Sequence, residues 1–425
     1  MRLLLGLASL VLAWADPVAA ADGWRVGEPI VTYWAGPGYP GGGPLDDAAA
    51  ARLAAGGWNL AWCNEKELDV AARHGLRGLL VDPLLGPEST RDPARRAALV
   101  ALVGRVRVHP ALYAYHLVDE PSTPAFPALG EVVALLRAED PAHLAGINLL
   151  PTYATNAQLG TEGPPEVAYA EYLRRFVDQV KPGLLSYDHY QFTRRDDGVQ
   201  YFLNLALVRE RALAAGLPFL NIVQASSWVP GAAASPASPR VPGPDELRYL
   251  VYTTLAYGAQ GISYYVYRYP GHEGGLLGAD DAPTPLGRAA TPLNREFAAI
   301  ARELQPLRSL GVDHHGMLPP GAQPPAAGAG AAFVLDPPVP AAEYHPGDRV
   351  VGVLLGRFGP PGGPGDGTHV VVVNLDYRAE RVVGLRGPAP LEVFDAATGR
   401  WAPADGPRAE LRLPGGGGKL VRVRR

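Results

Sequence analysis

The feature that most constrains this chain is an alternation of two textures. From Pro29 to about Gly311, short runs rich in β-branched and aromatic residues alternate with stretches of helical periodicity. The strand-like runs are "IVTYWAG", "WNLAWC", "GLRGLLV", "LYAYHLV", "GINLL", "LLSYDHY", "FLNIVQA" and "GISYYVY". Between them stand helical patterns such as "PARRAALVALVGRVR", "FPALGEVVALLRA" and "DELRYLVYTTLAYG", several closed by Gly or Pro as helix C-termini often are. Eight strand–helix alternations over about 280 residues match a (β/α)8 TIM barrel in count and in length. The competing layout is an open doubly wound sheet, which asks for a Gly-rich phosphate loop after the first strand. Here "GPGYPGGGP" is broken by proline and lacks the nucleotide fingerprint.

After Leu310 the texture changes. Pro, Gly and Ala dominate residues 316–348, and short β-rich runs such as "RVVGVLLGRF", "HVVVVNLD" and "KLVRVRR" then follow with turn signals between them. That reads as a C-terminal antiparallel β-sandwich. At the other end, Met1 and Arg2, the apolar "LLLGLASLVLAW" and the small residues of "PVAA" read as a secretory signal peptide, with an apolar part too short to span a bilayer. The plainer alternative is a buried N-terminal helix. The expected organisation is a signal peptide over residues 1–20, a barrel over 24–311, a Pro/Gly-rich linker or irregular segment over 312–348, and a sandwich over 349–425. A secreted or periplasmic location follows from the leader.

Composition excludes several functions. With a formal charge of −4 there is no basic stripe for nucleic acid, and a neutral substrate fits better. Cys63 is the sole cysteine, so no internal disulfide forms, and no Cys/His cluster has zinc spacing. Neither a metal nor another cofactor is implied, and no membrane span is expected in the mature chain. Nothing in the sequence addresses oligomeric state.

The chemistry concentrates in "ALYAYHLVDEP", where an apolar and aromatic run ends in Asp119 and Glu120 and is closed by Pro121. Reactive groups of TIM barrels sit at the C-terminal ends of the strands. A carboxylic acid there, shielded by Tyr113 and Tyr115 and beside a second carboxylate, has a raised pKa and suits a general acid. Otherwise Asp119 caps the following helix and Glu120 supports its N-terminus. Asp188, ending the sixth run, is the nearest candidate for a second catalytic carboxylate, two strands around the rim. A structural carboxylate bonded to His189, Tyr190 or a loop amide is the alternative.

The barrel, the "DEP" that ends strand four, the aromatic eighth run "GAQGISYYVY" and the sandwich together resemble a glycoside hydrolase of the large retaining barrel clan that includes β-galactosidases. The resemblance covers most of the mature chain and implies an oligo- or polysaccharide substrate, with Glu120 in the acid/base position. Two positions depart from the clan: Asp119 stands where it has Asn, and Gln224 stands where its nucleophilic Glu ends strand seven. The Asp-Glu pair is also similar to that of substrate-assisted hexosaminidases, in which the Asp orients a 2-acetamido group and no protein nucleophile is needed. A non-catalytic carbohydrate-binding protein on a decayed barrel is the reading from another class. Sugar-facing candidates are the aromatic Trp34, Tyr33, Tyr190, Trp228 and Tyr265, with Asn148 and Gln224 as hydroxyl partners.

Overall fold

The computed structural model describes residues 29–229, 231, 235–325, 332–362 and 367–424. The expected signal peptide and the first residues of the expected barrel lie outside the described residues. Each of the eight sequence runs contributes a strand: β1 (Ile30–Val31), β2 (Leu60–Cys63), β3 (Arg77–Leu80), β4 (Leu112–Asp119), β5 (Leu144–Leu149), β6 (Leu185–His189), β7 (Phe219–Gln224) and β8 (Gly261–Tyr265). They form one sheet in the order β1-β8-β7-β6-β5-β4-β3-β2, with every adjacent pair parallel. The sheet closes where its end strands meet. The Asn59 amide donates to the Val31 carbonyl (3.0 Å) and the Thr32 hydroxyl to the Leu60 carbonyl (2.9 Å). The result is a TIM barrel.

The outer helices form for local reasons and dock through apolar stripes. In Pro93–Val106, the Asp92 side chain accepts from the amides of Ala94 and Arg95, Pro93 takes the first position, and Leu99, Leu102, Val103 and Val106 are buried on one face. Long loops follow β7 and β8 and meet each other: Ser226–Ser227 pairs antiparallel with Glu273–Gly274 over the rim.

The C-terminal part is a two-sheet antiparallel sandwich. Six strands lie in the order Arg308–Gly316, Gly352–Gly359, His369–Asn374, Gly418–Val423, Leu391–Asp395 and Arg400–Pro403, and the second sheet holds Val334–Leu335, Arg381–Arg386 and Arg408–Leu413. The sandwich therefore begins at Arg308, not at 349. The boundary at 311 cuts its first strand, and the segment read as a 312–348 linker contains the rest of that strand and Val334–Leu335. Pro/Gly-rich composition hid the strand because its pairing partner, Gly352–Gly359, lies beyond the segment.

The valine run of His369–Asn374 shows why alternation was absent there. Val370 and Val372 belong to the sandwich core, while Val371 and Val373 belong to the barrel's cluster. This sheet is buried on both faces, so both phases of the strand are apolar.

Candidate active site

The three carboxylates of the candidate site stand at the C-terminal ends of barrel strands. Asp119 ends β4 and pairs in register with Asn148 of β5, and the Glu120 amide donates to the Asn148 carbonyl (2.9 Å). Two irregularities aim the carboxylates. The β4–β5 register shifts between His116 and Val118, a bulge that adds one residue and changes the alternation beyond it. Asp119 thus comes to the side of His116, where its carboxylate accepts from the Asn148 side-chain amide at 3.0 Å. Glu120 then adopts φ +48°. For a residue with a Cβ this left-handed backbone costs on the order of 1–2 kcal/mol. Neither carboxylate caps a helix, since the next helical turn is preceded by Ser122.

Asp188 of β6 is brought to the same place. Its Oδ2 accepts from the Tyr190 hydroxyl at 3.0 Å and from the Asn148 amide at 3.3 Å, while Ser186 donates to Asn148 Oδ1 at 3.3 Å. One amide group therefore bridges Asp119 and Asp188. Asp188 Oδ1 is buried without a hydrogen-bond partner, and the charge of Glu120 acts on Asp188 more strongly than that of Asp119. Asp188 is only 4% exposed, whereas Asp119 and Glu120 face solvent.

The electrostatics follow from this crowding. Loss of water on its packed side and then the charge of Asp119 push the Glu120 carboxyl up to about 7, against a hydrogen bond from Asp188. Burial, followed by the charges of Glu120 and Asp119, holds Asp188 well above the usual carboxylate range, with Tyr190 and Asn148 opposing. Asp119 is also raised by desolvation, with Asn148 opposing. Burial takes His116 and His189 down to about 4, so both rings are neutral at neutral pH.

Two groups of rings flank the carboxylates. Tyr190, Trp228 and Tyr265 form a mutually packed wall with centroid separations of 4.7 Å, 5.0 Å and 5.5 Å, and Tyr265 is held through its hydroxyl by His272 at 3.0 Å. Trp34, Trp62, Tyr39 and His116 form the other, with Trp34 meeting Trp62 at 4.9 Å and His116 at 5.5 Å. Tyr153, missed in the sequence because it lies in the loop after β5, is 45% exposed and packs edge-on against His189 at 4.9 Å. Tyr39 was missed for the same reason, a lone tyrosine in a glycine-rich loop. The signal that finds both is an aromatic residue in a loop that follows a barrel strand.

Three sequence candidates stand elsewhere or are already committed. Tyr33 has no exposure, and its hydroxyl donates to the Pro37 carbonyl (2.7 Å), so it offers no face to a ligand. Asn148 is 2% exposed and its donors are spent on the two carboxylates. Gln224 has no exposure: its Oε1 accepts from the Phe192 amide (2.7 Å), and its Nε2 donates to the carbonyls of Phe192 (3.0 Å) and Arg240 (2.7 Å). It braces the loops after β6 and β7. A glutamate could not donate to those two carbonyls, which gives a structural reason for an amide at this strand end. Among the described residues no group of three or more His, Cys, Asp or Glu could hold a metal ion, and no helix is long and apolar enough to cross a membrane.

No protein-family model matches the sequence, and no curated protein does either. Some solved structures are similar to this chain in part. A β-galactosidase from the psychrophilic Marinomonas ef1 is 12% identical with a TM-score of 0.47, over 68% of this chain and 63% of that one. This chain thus spans less than two thirds of that enzyme's length. Xylanase 10B from Thermotoga maritima is 11% identical with a TM-score of 0.41, over 65% of this chain and 97% of its own. A family 5 mannosidase from Rhizomucor miehei is 11% identical with a TM-score of 0.44, over 67% and 98%. At such values the likeness assigns no residue a role.

Proposed function

We propose that this protein is a glycoside hydrolase in which Glu120 is the general acid/base. The observation that carries the reading is the carboxyl group of Glu120, raised to about 7 at the barrel mouth, open to solvent and set between two further carboxylates. An acid of that kind is protonated near neutral pH and can protonate a departing glycosidic oxygen, then take a proton from the attacking water. The wall of Tyr190, Trp228 and Tyr265 supplies apolar faces for a pyranose ring. The substrate is an oligo- or polysaccharide, and the leader expected from the sequence supports a reaction outside the cytoplasm.

The second carboxylate decides the mechanism. A protein nucleophile must be ionised and reach the anomeric carbon, and Asp188 is buried with its pKa raised. Asp119 is the exposed neighbour of Glu120, oriented by Asn148. This favours the substrate-assisted reading, in which Asp119 steadies a 2-acetamido group that itself attacks. Aryl glycosides with and without a 2-acetamido substituent form the test. Turnover confined to the acetamido series, lost by roughly 10²-fold or more in Glu120→Gln with an unchanged melting curve, is the expected result. Turnover of simple glycosides points back to a protein nucleophile. Binding of sugars without turnover of any panel member leaves the carbohydrate-binding protein as the better description.

A further inference from the structure

Asp188 has a use that neither nucleophilic attack nor sugar contact requires. We propose that Asp188 is a positioning residue that shares one proton with Glu120, and that Asn148 and Tyr190 hold it in the orientation that makes this sharing possible. The inference rests on the reading of Glu120 as the acid, and it adds where that acid's proton is kept.

The geometry is as follows. Asp188 Oδ2 is occupied by two donors, the Tyr190 hydroxyl at 3.0 Å and the Asn148 amide at 3.3 Å. These fix the plane of the carboxyl group. Oδ1 is then left buried with no hydrogen-bond partner; Asn148, which donates to Oδ2, also accepts from the Glu120 amide at 2.9 Å, so one residue ties Glu120 to Asp188, and the charge of Glu120 is the strongest that acts on Asp188. Two ionised carboxylates cannot share such a site without strong repulsion, and a buried acceptor without a donor carries its full desolvation cost. A single proton between them satisfies Oδ1 and removes the repulsion. Asn148 also donates to Asp119, so the same amide ties the exposed carboxylate to the pair.

The titratable groups that act on the pair are known by name. Asp119 acts on both members, and the rings of Tyr153, Tyr169, Tyr172 and Tyr265 face Glu120 and Asp188 from the strands and loops around them. These tyrosines are themselves raised and stay neutral, so they add no charge that would draw the proton away. In a turnover the 2-acetamido oxygen bonds to the anomeric carbon as the bond to the glycosidic oxygen breaks, and the shared proton passes from Glu120 to that departing oxygen. Water then bonds to the anomeric carbon as the bond to the acetamido oxygen breaks, and returns one proton to Glu120, so bonds and protons balance over the cycle.

The experiment compares wild type with Asp188→Asn in the full chain, using two readouts. The first is a titration of carbon-13-labelled Glu carboxyl groups by NMR, assigned through Glu120→Gln, which needs no substrate. Glu120 is expected to titrate near 7 in wild type as one of two coupled steps with Asp188, and in a single step at lower pH in Asp188→Asn, because loss of the last proton then no longer leaves two carboxylates charged together. A wild-type Glu120 that titrates in the ordinary carboxylate range, or one unmoved by the substitution, overturns the proposal. This readout stands even if the chain hydrolyses no glycoside, so failure of the glycosidase reading and failure of the proton pair are separable.

The second readout is kinetic. Asp188→Asn should shift the basic limb of kcat/KM to lower pH and slow alkyl glycosides more than dinitrophenyl glycosides, whose leaving groups need no acid. If Asp188 were instead the nucleophile, both substrates would lose turnover equally and added azide would restore it as a glycosyl azide, which overturns the proposal. Should Asp188→Asn fold poorly, Tyr190→Phe serves in its place. Loss of a donor to the ionised form is expected to raise the pair's apparent pKa, and no movement of it counts against the pair.

Discussion

The barrel mouth and the seam where the barrel meets the sandwich treat charge in opposite ways. At the seam opposite charges are paired: Arg357 binds Asp313 at 2.7 Å, Arg240 grips Glu246 through both nitrogens at 2.7 and 2.6 Å, and Arg349 pairs with Asp376. The Tyr377 hydroxyl reaches across to Asp197 at 2.9 Å. At the mouth three carboxylates converge, and the groups that offset their repulsion are neutral: an amide and a hydroxyl. Pairing at the seam stabilises the fold, whereas crowding at the mouth opposes it. The contrast teaches that neutral partners leave the mouth's carboxyls raised, whereas a seam-like arginine there would hold them ionised, which is the difference the proposed function uses.

Substitutions can break this contrast or sharpen it, and the largest effect is expected in the sandwich. Leu355, 1% exposed in the sandwich core, should cost about 2–5 kcal/mol on change to Ala, read as a fall in the denaturant midpoint with an unchanged slope. A smaller loss of about 1–3 kcal/mol is expected for Gln224→Glu, which faces a carboxylate toward two carbonyl oxygens that now receive hydrogen bonds. It should not create a nucleophile. A gain of glycosidase activity in that variant would show that the brace opens into the mouth.

Glu120→Gln probes the mouth's side of the comparison through stability rather than rate. The folded Glu120 carboxyl is raised from 4.5 to about 7, so between those values the folded state holds a proton that the unfolded state has released. Stability attributable to this group is present in full below about 4.5, falls as pH rises through that window, and levels off above 7. Melting temperatures between pH 4.5 and 8 should fall less steeply in Glu120→Gln than in wild type. Equal slopes would mean that the carboxyl is not raised. The smallest effect is expected at the exposed pair of Arg73 and Asp47, 2.9 Å apart on the surface, where Arg73→Ala should lower the melting temperature only marginally, and less still in high salt.

Much of this was legible beforehand because it is local. A strand that ends in two carboxylates and a proline marks a candidate site on a parallel barrel, and Asp119, Glu120 and Asp188 do converge at one end of it. Trp228, Tyr190 and Tyr265 were legible for the same reason, as rings at strand ends, and they pack together. Gln224 misled because an amide at a strand end looks the same whether it faces a sugar or the backbone of a neighbouring loop. Tyr33 misled because alternation in a two-residue strand gives no phase to follow.

What the sequence determined by itself is the succession of elements and the chemical inventory at their ends, since periodicity, turn residues and apolar content act between neighbours in the chain. The tertiary structure alone decided which groups meet. The bulge after His116, the left-handed turn at Glu120 and the amide of Asn148 set two carboxylates from different strands against each other. A raised carboxyl is a property of that meeting, because desolvation and like charge depend on distances across the barrel that no stretch of chain encodes alone.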